Sequence, residues 1–270
     1  MAEPAPQPQR KPRIPRHVEV VAIERPAARW ISMTLRGEQM EGFKVEAPTA
    51  HVKLFLPTDG QTDVPAMTTG PDGRLVWAEG AVPPAIRTYT PRRYDAATHT
   101  LEVQFLLHGD GPASRWAERA EVGHGLVVVG PGGRFVMDGE ARRWWIGGDE
   151  SALPAIGTLL ESLPAAAEAE VHVEVADDGA KLALPARDRT RVHWHPRRSR
   201  NAFGAELLDA ARSADAPADM RFWIACEAAA MRDVRRHLLV DRGVPRSAVT
   251  TRGYWRIGQT DYPDHDYGED

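Results

Sequence analysis

The first half of the chain alternates apolar and polar positions in short stretches. Six stretches mix β-branched or aromatic residues with polar ones and are separated by turn residues: 17–23, 30–35, 51–56, 87–93, 101–107 and 126–129. Alternation over a few residues is typical of half-buried strands. Six short strands, with one helix predicted at 113–119, indicate an antiparallel Greek-key β-barrel.

From about residue 138 the pattern changes to strands that alternate with helices. Strands are predicted at 143–146, 170–175, 191–194 and 221–226, and helices at 152–163, 203–211 and 228–239. Such alternation is typical of a parallel sheet with helices on both faces, which binds ligands beyond the carboxyl ends of its strands. We therefore expect a β-barrel domain over 14–137 and an α/β domain over 138–258. A disordered tail at 1–13 and an acidic tail at 259–270 would flank them.

Composition narrows the classes of function. Hydrophobic residues make up 42% and charged residues 27% of the 270 positions, and the net charge is −4. That balance is ordinary for a globular protein and argues against a nucleic-acid partner, which a basic excess would favour. No apolar run approaches the ~20 residues of a membrane helix, and the N-terminal stretch lacks the apolar core of a secretory signal. We expect a cytoplasmic monomer without stable membrane association.

The single cysteine limits how this chain could carry electrons. Cys226 has no partner for an intrachain disulfide, and one thiolate cannot hold an iron–sulfur cluster. A redox function would therefore depend on a bound organic cofactor. Because Cys226 follows the apolar run 222–225, we predict that it is a small buried side chain and not a nucleophile.

The run Arg-Thr-Tyr-Thr-Pro-Arg at 87–92 combines three binding chemistries. In an extended segment Arg87 and Tyr89 share one face. An arginine offers forked donors to a phosphate, a tyrosine offers a flat face to a ring, and the Thr90 hydroxyl both donates and accepts. This set fits a dinucleotide with a redox-active ring, and an ordinary strand surface is the alternative.

A second candidate site is the turn before the helix predicted at 113–119. Gly109, Gly111 and Pro112 precede that helix, and a proline suits its first turn. The start of a helix leaves backbone N–H groups unpaired and carries partial positive charge, which suits a phosphate. Ala113 and Ser114 open the helix, and the Ser114 hydroxyl would add a donor. A plain capping helix is the alternative.

Further motifs follow in a specific order. They are HGDGPASRWA at 108–117, GPGG at 130–133, GDESALPAI at 148–156 and GYWRIG at 253–258. Together with 87–92, in this order and at these separations, they resemble the siderophore-interacting protein family. The resemblance runs from about residue 16 to residue 258. Members of that family are FAD-dependent ferric-siderophore reductases with a ferredoxin-reductase-like fold.

The resemblance implies a function and two cofactors. The barrel would bind FAD, and the α/β domain would bind NADH or NADPH. Electrons would pass from NAD(P)H through FAD to the Fe(III) of a siderophore, and Fe(II) would be released for iron acquisition inside the cell. Two alternatives stay open: a flavin-dependent oxidoreductase with another acceptor, such as a quinone or a partner protein, and a non-enzymatic siderophore binder.

The resemblance also implies roles for residues of the barrel. Arg87 and Arg92 would contact the FAD pyrophosphate or the neighbouring ribose, and Tyr89 would pack on the isoalloxazine ring. Thr90 would form a hydrogen bond near N5, the atom that receives hydride. His108 would lie beside FAD, and simple capping of its strand is the alternative. The glycines, Pro112, Ala113 and Ser114 of the helix turn would hold the cofactor as well.

In the α/β domain, the resemblance implies contacts with nicotinamide or with the flavin edge at two strand ends. The first end comprises Gly148, Asp149, Glu150, Ser151 and Ala152. At the second, Glu227 follows Cys226, which stands where the family commonly has glycine. Acids that merely cap the following helices are the alternative.

The C-terminal motif would complete the site. The resemblance places Tyr254 and Trp255 by the flavin, on the ring face opposite the barrel, where they would be catalytic together with Thr90. Stapling of the tail to the sheet is the alternative. Arg256 would bind an anionic ferric chelate. The acidic tail that follows would repel a negatively charged catecholate complex, so we expect either a neutral or cationic hydroxamate chelate or a tail that swings away.

The choice of electron donor depends on residues after the strand at 170–175. Asp177 and Asp178 favour NADH, because an acid at this position pairs with the ribose hydroxyl and repels a 2′-phosphate. Against this, Arg197, Arg198 and Arg200 follow the next strand and could bind that phosphate, although surface arginines are usually solvated.

Histidines on the strand at 191–194 raise the question of a metal. His193 and His195 alternate along that strand and therefore share a face. No third or fourth ligand stands at a recognisable spacing in the sequence. We therefore predict that these histidines are solvated or at an edge and that the protein has no metal site.

Overall fold

The computed structural model describes residues 14–70, 75–109, 111–133, 135–199, 201–263 and 266–268. The tail predicted to be disordered at 1–13 lies outside these residues, as do Asp110 and Arg200. The described chain forms a large antiparallel sheet, a parallel sheet, and a small antiparallel sheet whose side chains pack on the first.

The first half of the chain forms the antiparallel sheet and one helix. Its elements are β1 (Pro15–Ala27), β2 (Trp30–Arg36), β3 (His51–Leu56), β4 (Met67–Thr69), β5 (Leu75–Trp77), β6 (Ala85–Tyr89), β7 (Pro91–Asp95), β8 (Thr100–Leu106), α1 (Pro112–Arg119) and β9 (Gly125–Gly132). The main sheet has the order β6-β3-β9-β1-β2-β8-β7, and β4 pairs with β5 separately.

The two edges of this sheet are joined by a single residue, Thr90. Because β6 pairs with β3 and β7 pairs with β8, the sheet has to curve until its edges meet. The single strand predicted at 87–93 is therefore wrong. Pro91 has no N–H group with which to continue the ladder, and the chain changes its pairing partner there.

The order of the strands is that of a Greek key. The hairpin-connected strands β3, β6–β7 and β8 follow one another around the barrel, and β9 returns through α1 to lie beside β3. The predicted antiparallel Greek-key barrel is confirmed. Its interior is filled by apolar side chains that alternate along β2 and β8, among them Met33, Leu35, Leu101 and Val103.

The second half forms the parallel sheet. Its elements are β10 (Arg143–Asp149), α2 (Leu153–Ser162), β11 (Glu168–Val175), β12 (Thr190–Pro196), α3 (Ala205–Ser213), β13 (Met220–Glu227), α4 (Ala228–Arg236), which continues as a π-helical turn (His237–Asp241), and β14 (Val249–Trp255). The order is β12-β11-β10-β13-β14 with all pairs parallel, which confirms the α/β prediction. No helix among the described residues is long and apolar enough to cross a membrane.

This sheet has one strand that the sequence pattern did not predict and one connection without an α-helix, as the predicted order of elements implied. β14 is a further strand, and its inward positions are Val249, Thr251 and Gly253 in place of large apolar residues. Residues 176–189, all of them described, join β11 to β12 with only a short 3-10 turn (Asp178–Ala180) and no α-helix. β12 is therefore an edge strand that no crossover helix ties to its neighbour.

Apolar side chains form a separate cluster on each face of the parallel sheet. On the face that α2 covers, the cluster includes Trp144 and Ile146. On the face that α3 and α4 cover, it includes Trp145 and Phe222. Trp30 of the barrel is 1% exposed and belongs to the first cluster. The barrel therefore packs on the α2 side of the sheet.

Hydrogen bonds reinforce this packing between the two halves. The Trp30 indole N–H donates to the carbonyl of Ala180 at 2.8 Å. Two guanidinium nitrogens of Arg92, in β7, donate to the carboxylate of Glu161, in α2, at 2.8 Å each. The relative position of the barrel and the α/β domain is thus held by both apolar and charged contacts.

The described residues of the C-terminal tail are bound to the fold. The Asp266 carboxylate accepts from Arg232 of α4 at 2.9 Å, and its carbonyl accepts from the Gly253 N–H at 2.9 Å. The Thr251 hydroxyl donates to the Tyr267 carbonyl at 2.6 Å. Asp266 and Tyr267 of the acidic tail therefore lie against α4 and β14.

Candidate functional site

The junction of β6 and β7 lies at the rim of the barrel core. Tyr89 packs its ring on the buried Phe105 with 4.6 Å between centroids, and Phe105 lies 5.6 Å from the Trp116 ring of α1. Burial raises the pKa of Tyr89, against the opposing effect of Arg87, so its hydroxyl stays neutral. Tyr89 and Thr90 are only half-buried, which leaves this rim accessible to a ligand.

Arg87 lies beside this rim, and only one of its guanidinium nitrogens has a partner within the described chain. Its Nη1 donates to the Ile86 carbonyl at 2.7 Å and lies 3.9 Å from a carboxylate oxygen of Asp261. Among the described residues its other guanidinium nitrogens have no hydrogen-bond partner. A guanidinium with free donors next to an aromatic ring suits the predicted phosphate contact, which stays a prediction.

The structure gives Arg92 a different partner. Its side chain is only 12% exposed, because the guanidinium forms a two-pronged ion pair with Glu161. It also lies across α2 at Gly157, where a Cβ atom would come within 3.3 Å of the Arg92 Nε. Arg92 thus connects the two domains, and the predicted contact with FAD would require this ion pair to open.

The start of α1 is a turn lined by glycine and capped by no side chain. Gly111 is the N-cap residue, Pro112 begins the helix, and Ala113 is buried. The imidazole of His108 lies over Gly111, where a Cβ atom would come within 2.7 Å of it. Ser114 is fully buried, and its hydroxyl accepts from the His108 N–H at 3.2 Å. The Ser114 hydroxyl therefore closes the turn, and this use competes with the predicted contact with a ligand.

The carboxyl ends of β10 and β13 meet where the winding of the sheet reverses, which is the usual ligand site of a doubly wound sheet. Gly148 lies within β10, and a Cβ atom there would come within 2.9 Å of Ala152 and 3.0 Å of the Ala225 carbonyl. Ala152 is itself fully buried. The glycine is therefore required for packing at this position, and its predicted backbone contact with a cofactor stays a prediction.

Asp149 joins three strand ends. It is 2% exposed, and Oδ1 accepts from the N–H group and the hydroxyl of Ser151. Oδ2 accepts from the Glu227 N–H at 2.9 Å and from the Trp255 indole at 2.8 Å. Burial, together with the charge of Glu150, raises the pKa of Asp149 to about 7, although these donors oppose the shift. A buried carboxyl that titrates near neutral pH thus lies at the reversal point.

The two glutamates of the strand ends have structural partners. Glu227 accepts from the N–H groups of Ala229 and Ala230 at 2.7 Å and 2.9 Å and therefore caps α4. Glu150 accepts from Arg197 at 2.7 Å. For Glu227, the structure therefore shows the alternative that the sequence left open, a helix cap. Glu150 belongs to an ion-pair network instead.

Arg197 is the centre of that network. Its side chain is 7% exposed, pairs with Glu150 and with Glu174, and stacks on the Phe203 ring at 4.2 Å. The interpretation of Arg197 as a solvated arginine is therefore wrong, because the acids at the ends of β10 and β11 enclose it. Arg198 is exposed and is paired with acids of α3.

The acids predicted to select the electron donor also have basic neighbours. Asp177 accepts two hydrogen bonds from Arg29, and chiefly for that reason its pKa is lowered. Asp178 pairs with Lys181 at 2.6 Å, while its side chain stays 88% exposed. Asp177 thus links the turn between β1 and β2 to the end of β11.

β14 carries the aromatic pair of the C-terminal motif. Trp255 donates to Asp149 and meets the Phe203 ring edge-on at 4.8 Å. Tyr254 packs against the cluster on the α2 face, and burial raises its pKa to about 12. Arg256 follows the strand, is exposed, and makes no side-chain hydrogen bond or ion pair within the described chain. Trp255 therefore staples the strand end, whereas Arg256 is open to a ligand.

Two contacts across the domains involve residues that the sequence pattern did not indicate. Arg252 of β14 donates to the His51 imidazole of β3 at 3.1 Å, although 201 positions separate them. Asp261, after β14, approaches Arg87 of β6. The rim of the barrel, β14 and the segment after it therefore lie next to one another, and we call this junction the cleft. No local sequence signal marks such a pair.

The residues of this cleft fit FAD. Arg87 has free donors for a phosphate, and the first turn of α1 has neither a side-chain cap nor an acid. Gly109 has a φ of +99° with open space around it, which lets the backbone approach a ligand closely. The half-buried Tyr89 offers a flat ring at the same rim. The carboxyl ends of β10 and β13 lie where a nicotinamide would bind in such a sheet. The carboxylates of Asp149 and Glu227, however, already accept hydrogen bonds from the protein.

A second polar cluster lies on the face of the sheet that α3 and α4 cover. The rings of His172 and His193 stack at 4.6 Å, and His172 Nδ1 lies 3.0 Å from His195 Nε2. Burial, followed by the charges of His193 and His195, lowers the pKa of His172 to about 3. The sequence pattern indicates only the pair on β12, and the structure adds His172 and Glu170 from β11.

Comparison with known proteins covers most of the chain. A family model described as siderophore-interacting FAD-binding domain matches residues 19–135, and one described as siderophore-interacting protein matches residues 141–258. A protein of Escherichia coli (strain K12) named NADPH-dependent ferric-chelate reductase is 31% identical over 246 residues, which are 89% of this chain and 92% of that protein.

Two further relatives extend the match to nearly the full length. The ferric vibriobactin reductase ViuB of Vibrio cholerae is 27% identical over 258 residues, 93% of each chain. The crystal structure of a siderophore utilization protein from T. fusca matches with a TM-score of 0.80 at 31% identity, over 96% of this chain and 98% of that one. The arrangement of barrel and parallel sheet is the ferredoxin-reductase-like one.

Proposed function

Because the chain belongs to the siderophore-interacting protein family, we propose that it is an FAD-dependent reductase that transfers electrons from NADH or NADPH to ferric siderophores. The observation that carries this proposal is the cleft in which Arg87, Tyr89 and the start of α1 lie together. The names of the Escherichia coli and Vibrio cholerae relatives support the same donor class and acceptor class.

The cofactor supplies the chemistry that a chain with a single, buried cysteine lacks. FAD held by these residues would supply the conversion of a two-electron hydride from a nicotinamide into single electrons for two Fe(III) ions. Oxygen ligands of a chelate hold Fe(II) less tightly than Fe(III), so the reduced metal leaves the siderophore.

Residues of the chain bind and orient the reactants. Arg87 and the first N–H groups of α1 would bind the pyrophosphate, because a guanidinium and an uncapped helix start are both donors suited to phosphate. Tyr89 packs against the ring system, and the Thr90 hydroxyl donates at its edge. Trp255, held by Asp149, keeps the end of β14 in place beside the strand ends where the nicotinamide docks.

The acceptor is a ferric chelate that contacts Arg256, the exposed arginine after β14. The sequence argued that the acidic tail would repel an anionic chelate. In the described part of that tail, however, Asp266 is paired with Arg232 and its side chain is 9% exposed. The charge of Asp266 is therefore compensated within the fold, while Asp261 stays exposed beside Arg87, so Arg256 is the side chain that would favour an anionic chelate here.

The finer proposal for the donor is NADH. Asp177 lies at the end of β11, where a carboxylate pairs with the ribose 2′-hydroxyl and repels a 2′-phosphate. Of the arginines that could bind that phosphate, Arg197 is enclosed by Glu150 and Glu174, and Arg198 is paired with acids of α3. Comparison of kcat/KM for NADH and NADPH tests this preference directly.

The proposed substrate contact is tested with Arg256→Ala in the FAD-saturated protein. We expect kcat/KM for an anionic ferric chelate to fall about tenfold or more, because a charged contact contributes about 1.5–3 kcal/mol. FAD content, read from the flavin absorbance per chain, should not change. The matched control is Arg189→Ala, an exposed arginine paired with Glu168 at the opposite, amino end of the strands.

Two outcomes would count against the role of Arg256. An unchanged kcat/KM for the chelate would show that Arg256 does not contact it. Loss of FAD in parallel with activity would show that Arg256 is structural. Reduction of artificial acceptors with no preference for ferric chelates would instead favour a flavin-dependent oxidoreductase with another acceptor.

A further inference from the structure

Six polar side chains of β11 and β12 project from one face of the parallel sheet. In the parallel pairing His172 stands opposite His193, Glu170 opposite Arg191, and Glu174 opposite His195. Side chains at alternate positions of paired strands share a face. One ligand atom from each of Glu170, His172 and His193 lies within 4.8 Å of the other two.

This cluster is separate from the cofactor cleft. The His172 ring stacks on Trp145 at 5.0 Å, and Trp145 belongs to the apolar cluster on the face that α3 and α4 cover. Trp30, which marks the side on which the barrel packs, belongs to the opposite face. The cluster opens into a groove of 590 Å³ that Glu168, Glu206 and Asp209 also line, so its surroundings are acidic.

One nitrogen of the cluster lacks a partner. His172 Nε2 is buried and makes no hydrogen bond to any described residue, while Nδ1 lies 3.0 Å from His195 Nε2. A buried polar atom without a partner destabilises a fold, so such atoms call for a bound group or a function. With Nδ1–H donating to His195, the lone pair of Nε2 is the free one.

We propose that Glu170, His172 and His193 form a binding site for a divalent transition-metal ion, with His195 as the residue that positions His172. Two imidazoles and a carboxylate suit Zn²⁺, Ni²⁺ or Fe²⁺, whereas Mg²⁺ and Ca²⁺ prefer oxygen ligands only. Water completes the coordination. The hydrogen bond from a ligating histidine to a second residue, here His195, is the usual device that orients such a ligand.

Metal binding requires the ligand atoms to move closer together and the stacked ring of His193, which is exposed, to turn so that its lone pair meets that of His172. Ligand atoms around Zn²⁺ are about 3.3 Å apart, given metal–ligand bonds of about 2.0–2.1 Å. Arg191 lies 3.5 Å from Glu170, but both side chains are exposed, at 79% and 44%, and such a pair contributes little. Glu170 can therefore exchange this arginine for the ion.

The expected consequence is a fixed edge of the sheet. β12 is the edge strand and is joined to β11 by a connection without an α-helix. An ion shared by the two strands stabilises their pairing, because a ligand that binds only the folded state raises stability with its concentration. The ion lies on the face away from the barrel and takes no part in electron transfer.

The test is a Zn²⁺ titration of the tag-free, FAD-saturated protein by calorimetry, with Mg²⁺ as the comparison metal. We expect one Zn²⁺ site per chain and no site for Mg²⁺ among these residues. Glu170→Gln and His193→Gln should each weaken Zn²⁺ binding by tenfold or more. Both side chains reach the surface, so the variants should fold, and His17→Gln, an exposed histidine of β1, is the matched control.

The positioning role of His195 has its own readout. His195→Phe keeps a ring beside His172 but removes the hydrogen bond, so it should weaken Zn²⁺ binding about tenfold to a hundredfold, whereas a merely structural role would lower the metal-free melting temperature and leave Zn²⁺ affinity unchanged. Binding of Co²⁺ should give the strong visible absorption of a four-coordinate site. The proposal is overturned if the wild-type protein binds no Zn²⁺, or if Glu170→Gln and His193→Gln bind it as the wild type does.

Discussion

At the scale of single residues, Asp149 is the carboxylate on which the ends of β10, β13 and β14 converge. The sequence places it before a helix and predicts a capping role, and it does accept from Ser151, two positions on. Its other donors, Glu227 and Trp255, come from 78 and 106 positions away, and no local pattern could predict them. Deep burial and the high pKa that follows from it are products of these distant contacts.

The pKa of Asp149 predicts a dependence of stability on pH. It is raised from its ordinary 3.8 to about 7 in the fold, so folding favours the protonated form. The contribution is present in full below about pH 4 and is lost as the pH rises through 7. Asp149→Asn removes this dependence. As the pH rises from about 4 to 7, the free energy of unfolding of the wild type should therefore fall relative to that of the variant, by up to about 1.4 kcal/mol for each pH unit.

Urea unfolding of both proteins between about pH 5 and 8 measures this difference. Asp178→Asn, at a side chain that is 88% exposed, is the control and should follow the wild type. A constant difference between wild type and Asp149→Asn across the whole range would contradict a raised pKa for Asp149.

At the scale of elements, the packing of β7 on α2 shows how the barrel is coupled to the parallel sheet. Gly157 leaves room on α2 for Arg92, whose guanidinium then reaches Glu161 one turn further along. The sequence showed Arg92 as part of a cofactor motif, because motif order carries no information about which element lies across from it. Only the closure of the barrel at Thr90, which places β7 at this edge, brings Arg92 to the helix.

This coupling predicts unequal effects for two glutamates. Glu161→Gln should lower the free energy of unfolding by about 1–2 kcal/mol, because it breaks a two-pronged pair with an arginine that is 12% exposed. Glu168→Gln breaks a pair with Arg189 in which both side chains are more than half exposed, so the loss should stay within about 0.5 kcal/mol. Chemical denaturation of both variants decides the matter, and equal losses would refute a special role for the Arg92–Glu161 pair.

Elements with strong periodicity were predictable, and those with mixed patterns were not. β2, β3 and β8 alternate apolar and polar residues, and their predicted bounds agree with the structure to within one residue. β14 turns Thr251 and Gly253 inward, so it lacks the apolar signal of a strand. The division of 87–93 into β6 and β7 depends on pairing with distant strands, which a local pattern does not contain.

At the scale of the whole molecule, the sequence led to the family because its motifs are spread over both domains in a fixed order. The same motifs did not reveal how the domains meet. Trp30 enters the core of the α/β domain, and Arg252 reaches His51 of the barrel. The cleft is a product of this docking. The sequence therefore allowed single residues of the cleft to be predicted. It did not show which residues contact one another there, such as Asp261 beside Arg87.

The account depends most on bound FAD that accepts electrons from a nicotinamide and passes them to a ferric chelate. The visible spectrum of the purified protein under anaerobic conditions tests this, with NADH or NADPH added first and a ferric siderophore second. We expect flavin bands that bleach with the nicotinamide and return with the chelate, while a colorimetric ligand traps Fe(II). A colourless protein that takes up no added FAD would contradict the account and favour a siderophore binder without catalytic activity.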